Sequence, residues 1–430
     1  MTNTNLPISI IIPTHNRLDS LRRMLAQLSK QSFPADQFEV IIVADGCTDD
    51  SVAFVKAYDA PFALRVLEQG GQGAATARNV GAAIARGRFL IFVDDDIEPS
   101  TEFVAGHWQA HGERTHTAAV GYLPPILSGQ PGYFRNSLQS WWEEMFRNLR
   151  TEGHRFSYRE FFSGNCSMAA TLFASVGGFD PAFRSCYDDY EFGLRLLKAG
   201  SSFVYSDTAW GYHHETRDLP GLMRRKFQEG KAEVLLGRRH PEMKGDLLIT
   251  RFASYSPLVS RLMTTLAFRL PQQADKLALR VPTLLNWLEK LHLHSLWHWL
   301  MGILSLYWYY RGLTTELGDA AALAQFLSDA HEPPASETLD LDLAEGLAKA
   351  AQRLDQAQPQ ALQIRYGKAS IGTIPMKLGG ERLSAKHLRP LLATTLNKPL
   401  LDVLIKEGAL TANPDEQWIG EFLQAEQARR

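Results

Sequence analysis

ISIIIPTHNRLDSLRRMLAQL, residues 8–28, reads as strand, turn and helix. Ile8–Ile12 is short, β-branched and stopped by Pro13, whereas Leu18, Leu21, Met24, Leu25 and Leu28 recur at helical intervals. The alternation continues downstream. Val40–Val43 is a second apolar strand, followed by a helix over Asp49–Tyr58, a strand over Ala63–Leu67, a helix over Ala74–Ala85 and a strand over Phe89–Val93. Strands alternating with helices predict an α/β fold in which a parallel sheet is covered on both faces. Ligands of such sheets sit beyond the carboxyl ends of the strands. The residues found there are Thr14-His15-Asn16, Asp45-Gly46 and Asp94-Asp95-Asp96.

Outward from this core the pattern changes. Between Gly121 and Ser157 it is loosened by Pro124, Pro125 and Pro131, and Trp141-Trp142 falls in a helix-like run, which reads as an insertion beside the site. Compact structure resumes over Ser163–Gly200, with a Gly177-Gly178 turn and a helix over Asp188–Lys198. Leu222–Leu327 is helix-rich and aromatic. Pro333-Pro334 is a linker by composition. Beyond it, Leu339–Arg430 reads as a small unit with a hairpin from Leu362 to Ile374, turning at Gly367-Lys368, and two short helices. The expected domains are a site-bearing one over 1–235, a helical region over 236–332 and a small α+β accessory unit over 336–430.

The 430 residues are 45% apolar and 21% charged, an ordinary globular composition that excludes disorder, collagen and a long coiled coil. Forty-five Lys and Arg stand against 47 Asp and Glu, a net charge of −2, so no bulk basic field exists and nucleic acid is not an expected partner. Cys47, Cys166 and Cys186 are far apart and form no Cys-x-x-Cys pair, which points to a reducing compartment. Met1–Ile12 lacks a basic leader and its apolar run is broken by Ser9. The expected location is the cytoplasm, or the inner face of its membrane.

Three adjacent carboxylates after an apolar strand repel one another unless a cation or a donor-rich ligand offsets them. Magnesium or manganese commonly bridges such oxygens to substrate phosphates, so Asp94, Asp95 and Asp96 suggest a metal and a diphosphate. An acidic loop or helix cap ahead of Pro99-Ser100 is the plainer alternative. With IIIPTHNR (10–17), VADGCTD (43–49), ARNVG (77–81), FVDDD (92–96), GGFD (177–180) and DDYEFGLR (188–195), the chain resembles the family-2 inverting glycosyltransferases over about residues 7–215. The resemblance implies an A-type glycosyltransferase fold, a nucleotide-sugar donor, a divalent cation (Mn2+ or Mg2+) and inversion at the anomeric carbon. This chain has Ala44 where the family often carries an acid.

The resemblance also implies roles. Asp96, with Asp94, holds the metal, and His213 is a third ligand, His214 being its rival. Pro13, Thr14, Asn16, Asp45, Arg78, Asn79, Asp94 and Asp95 serve the donor; Arg78 could equally tie its helix to the sheet by a salt bridge. Asp189 is the general base for the acceptor hydroxyl, its alternative being a helix N-cap. Gly164, Asn165 and Asp188 border the acceptor. Trp210, like Trp141 and Trp142, offers a face for a sugar ring or else simply packs in the core. Glu191 and Arg195 are spaced to brace a helix. The expected reaction moves a sugar, from a UDP-sugar first of all, to a glycan or lipid-linked acceptor. Two rivals are a polyprenyl-phosphate sugar transferase, whose acceptor needs no base, and an idle scaffold that binds a partner through its C-terminal unit.

The stretch 284–313, LLNWLEKLHLHSLWHWLMGILSLYWYYRGL, gathers Trp and Tyr beside Lys290, His292, His294 and Arg311. Its apolar part, Leu296–Tyr310, falls short of the about 20 residues that a span needs. A helix at a membrane surface, a spanning helix, and one packed in a core or a homodimer interface all remain open.

Overall fold

A computed structural model of the chain describes residues 6–129, 131–329 and 337–408. The expected linker at Pro333-Pro334 and the end of the expected accessory unit lie outside them. Two compact units result: Met1–Phe146 with Tyr158–Pro333, and Arg147–Ser157 with Pro334–Arg430. The helical region 236–332 thus clusters with the N-terminal part, and the expected boundary at residue 235 falls within one helix, Leu219–Arg239.

The first unit is built on seven strands: β1 (Leu6–Thr14), β2 (Phe38–Asp45), β3 (Ala63–Gln69), β4 (Gly87–Val93), β6 (Thr117–Gly121), β8 (Asn165–Ala169) and β9 (Ser202–Ser206). Their order is β3-β2-β1-β4-β8-β6-β9. β2 is buried at every position, as a strand covered on both faces must be. The fold is α/β, but the sheet is mixed rather than all parallel. β8 runs against both β4 and β6, and all other pairings in this sheet are parallel. That reversal sets Asn165 opposite Val93, so the start of β8 meets the end of β4. A smaller sheet joins β5 (Ile97–Pro99), β7 (Pro125–Leu127) and β10 (Gly211–Glu215), with His213 opposite Ile97.

The helices Leu219–Arg239 and His294–Leu317 cross at paired glycines. A Cβ on Gly230 would lie 2.1 Å from the Tyr309 carbonyl, and one on Gly312 would lie 2.0 Å from the Phe227 carbonyl. Only hydrogen side chains allow the backbones to come this close. The segment 284–313 therefore divides. Tyr307, Tyr309, Tyr310 and Leu313 are buried, whereas Trp287, Leu291, Leu296 and Trp299 are exposed. No helix among the described residues is long and apolar enough to cross a membrane.

In the second unit, β11 (Thr338–Asp342), β12 (Ala361–Tyr366) and β13 (Ala369–Ile374) form a sheet with the expected hairpin between β12 and β13. Besides the two expected helices, Ala385–Thr394 and Asn397–Lys406, it contains a third, Leu347–Ala357. Leu341, Leu354, Ile364, Leu392 and Leu400 pack in its core. Arg155, from the 147–157 excursion, donates to the carbonyls of Glu381, Gln360 and Pro375.

Candidate active site

A cavity of about 800 Å3 opens in the first unit and is lined by Arg78, Asp94, Asp96, Gly164, Asp188, Asp189 and His213. Seven positions singled out in the sequence thus share one space. They come from the ends of β4 and β8, from β10, and from the helices Ala74–Ile84 and Asp188–Lys198.

Arg78 holds the centre. Its guanidinium donates to Asp94 Oδ1 at 2.5 Å and to Asp188 Oδ2 at 2.6 Å, and its buried Nε has no hydrogen-bond partner among the described residues. Burial by itself would lower its pKa, but the two aspartates outweigh it and raise the pKa. The choice between a phosphate ligand and a structural tie is thus weighted by geometry toward the tie, although the side chain still borders the cavity. Gly164 packs against the Asp94 carboxylate: a Cβ there would lie 2.8 Å from Asp94 Oδ2 and would displace that side chain.

Asp189 is the second residue of its helix, whose N-cap is Tyr187, a non-glycine residue in the left-handed region at φ 66°. Tyr187 is locked by its hydroxyl, which donates to the buried Glu233 Oε2 at 3.0 Å. Burial, then the neighbouring Asp188, pushes the Asp189 carboxyl up to about 7. Glu191 does brace the helix: Arg195 donates to both of its oxygens at 2.7 Å.

On the other side, burial and then Asp94 raise the Asp96 pKa. His213 Nε2 is 3.8 Å from Asp96 Oδ1, too far for a hydrogen bond, and its buried Nδ1 has no hydrogen-bond partner among the described residues. That gap is one that two metal–ligand bonds of about 2.1 Å could span. The carboxylate oxygens suit Mn2+ or Mg2+, whereas the imidazole favours a transition metal over Mg2+, and Asp94 is turned partly toward Arg78. Among the described residues no group of three or more His, Cys, Asp or Glu side chains is placed to hold a metal ion. His214 is engaged elsewhere, its Nε2 2.8 Å from Glu98 Oε2.

Other expected site residues do not line the cavity. Asp45 accepts from Gln69 Nε2 and from the backbone N–H groups of Gln72 and Gly73, so it shapes the loop before Arg78's helix. Thr14 donates to Asp95 Oδ2 at 2.7 Å, and burial pushes the Asp95 carboxyl up to about 7. Pro13 is buried at the end of β1, and Asn16 accepts from the backbone of Thr48 and Asp49. Asn79 is turned away: both ends of its amide engage the Phe179 backbone. Asn165 is likewise a core strut, bound to His107 and to the Ala209 carbonyl because β8 is buried at every position. Trp210 meets Tyr212 edge-on and lies off the cavity, whereas Trp141 and Trp142 line it.

Sequence reasoning missed the far wall. Arg217, Arg225 and Lys226 line the cavity beside Asp189, as do Trp297 and Met301 from the aromatic helix. Glu229 accepts from both Arg225 and Lys226. Helical spacing could have paired these charges, but nothing local tells which way their helix faces.

Residues 9–175 match the family model described as Glycosyl transferase family 2. Validoxylamine A glucosyltransferase of Streptomyces hygroscopicus subsp. jinggangensis is 29% identical, over 56% of this chain and 62% of its own length. The chondroitin synthase of Pasteurella multocida is 28% identical, over 54% of this chain and 27% of its own length. The chain thus spans less than two thirds of these relatives. A solved structure of a Pyrobaculum calidifontis mannosyltransferase in complex with GDP-Man and Mn2+ is 18% identical, covering 74% of this chain and 89% of that one at a TM-score of 0.49. Over residues 9–175, which carry Thr14, Asp45, Arg78 and the three-aspartate run, the chain resembles the family-2 glycosyltransferases.

Proposed function

We propose that the protein transfers a sugar from a nucleotide-diphosphate sugar, a UDP-sugar first of all, to a hydroxyl of a glycan or lipid-linked sugar, with inversion at the anomeric carbon. One observation carries this reading: a single cavity has Asp94, Asp96 and His213 on one side of Arg78 and Asp188-Asp189 on the other. The names of the relatives, a glucosyltransferase and a chondroitin synthase, agree with sugar transfer.

In the proposed reaction the acceptor oxygen bonds to the anomeric carbon as that carbon's bond to the diphosphate oxygen breaks. The bonding electron pair leaves with the nucleoside diphosphate, and the hydroxyl proton passes to the Asp189 carboxylate. A carboxylate whose proton affinity is raised by burial suits that task near neutral pH. Asp96 and His213, with Asp94, would hold Mn2+ or Mg2+, which when bound neutralises charge on the leaving diphosphate. Arg78 fixes the spacing between Asp94 and Asp188, and Trp142 gives the acceptor sugar an apolar wall.

The test is a thermal-shift series of the whole chain against UDP-, GDP-, dTDP- and CMP-sugars, each with manganese and with chelator. A donor at about a hundred times its Kd adds about 2.7 kcal/mol to the folded state. The expected result is a manganese-dependent rise with one nucleotide, absent in Asp96→Ala. A flat response to every donor would overturn the reading in favour of a partner-binding scaffold.

A further inference from the structure

The helices Leu248–Tyr255, Pro257–Thr264, Pro271–Ala278 and Val281–Lys290, with the first turns of His294–Leu317, bury one face each and leave the other bare. Ala274, Ala278, Leu285, Leu288 and Trp297 point inward. Outward stand Tyr255 at 82% exposure, Leu258 at 77%, Leu277 at 67%, Trp287 at 60% and Trp299 at 62%. Single exposed leucines are ordinary, but most of the large exposed apolar side chains among the described residues fall between Leu248 and Trp299.

Charge distinguishes what could cover this face. The same stretch carries Arg251, Arg261, Arg269, Lys276, Arg280 and Lys290, all exposed, in a chain whose net charge is −2. Its carboxylates are Asp275 and Glu289, and both are engaged. Asp275 accepts from Tyr307 and Arg311, and Glu289 accepts from the Tyr133 backbone. Arg261, Arg269, Lys276 and Arg280 make no ion pair among the described residues. Leucine and tryptophan interleaved with unpaired basic residues on short helices is the pattern that lies in a lipid headgroup layer. A second copy of this chain would instead bring like charges together.

We infer that residues 248–299 form a docking surface for an anionic lipid bilayer. The surface shares its helices with the cavity wall: Leu248 and His298 are exposed and also line the cavity, and Trp297 and Met301 line it from the same helix as Trp299. Docking on this face brings the cavity wall to the bilayer, so a lipid-linked acceptor reaches Asp189 without leaving its membrane. Docking itself does not depend on the chemistry of the cavity, but the role of the acceptor rests on the sugar-transfer reading.

The experiment is co-sedimentation of the whole chain with vesicles of phosphatidylcholine alone and of phosphatidylcholine mixed with phosphatidylglycerol, with no nucleotide present. Binding is expected to the mixed vesicles only, to weaken with salt, and to fall about tenfold or more in the triple variant Arg261→Gln, Lys276→Gln, Arg280→Gln. A second variant, Leu277→Ser with Trp287→Ser, removes exposed apolar groups and is expected to lose vesicle binding while keeping its melting temperature and any donor-induced shift. Absence of binding to mixed vesicles would overturn the inference. So would equal binding by wild type and both variants, or a dimer in light scattering that the Leu277→Ser, Trp287→Ser variant splits. The donor shift is read separately, so failure of docking and failure of the sugar-transfer reading are distinguishable.

Discussion

Asp189 and Asp96 both have raised proton affinity, yet they ask for opposite things from their surroundings. As the proposed general base, Asp189 would have to be free of its proton to accept another, so a carboxyl pushed up to about 7 predicts a rate that rises with pH and levels off above about 7. Initial rates across a pH series at saturating manganese would show that limb. Asp189→Asn is expected to lower kcat by about 10²–10⁴ and to leave the donor-induced thermal shift in place. Retained turnover would point to an acceptor that is already an anion, such as a polyprenyl phosphate. The three-aspartate run and the Asp188-Asp189 pair were legible because acid clusters at strand ends and helix starts are local features. Glu233 was not. It sits mid-helix with no local mark, and its partner Tyr187 is 46 residues away. Asn79 and Asn165 looked like ligand residues because an amide in a sequence does not reveal whether it turns toward a cavity or toward buried carbonyls.

The βα units through residue 93 were legible as elements, since apolar strands and amphipathic helices announce their periods. The direction of β8 was not, because Asn-Cys-Ser-Met-Ala carries no vector and its orientation is set by pairing with β4 and β6. β10 was also hidden, as a strand of Gly-Tyr-His-His-Glu has no apolar alternation, and it is this strand that sets His213 across from Ile97, next to Asp96. The helix crossing at Gly230 and Gly312 is testable at this scale. Gly312→Val puts a branched side chain where even a Cβ meets the Phe227 carbonyl. The expected cost is on the order of 1–3 kcal/mol, read as a lower urea midpoint. Because the same helix supplies Trp297 and Met301 to the cavity, the KM for acceptor is expected to rise more than that for donor.

Across the whole molecule, the sequence pointed to a C-terminal unit and to its hairpin, but not to the stretch that completes it. Residues 147–157 leave the first unit and return to it, and on the way they supply Arg155 and the buried Phe156 to the second. Ser157 bridges to Gly380, and Glu381 N donates to the Phe156 carbonyl. A fragment that begins at residue 334 therefore lacks part of its own structure. By circular dichroism it is expected to be poorly folded, and a fusion that restores 147–157 is expected to recover a cooperative melt. The chain consequently visits the second unit twice, like a stitch that enters the cloth at two places. No single scissor point separates them, and a gene shuffled or truncated at one linker would inherit a module with its clasp left behind in the other half.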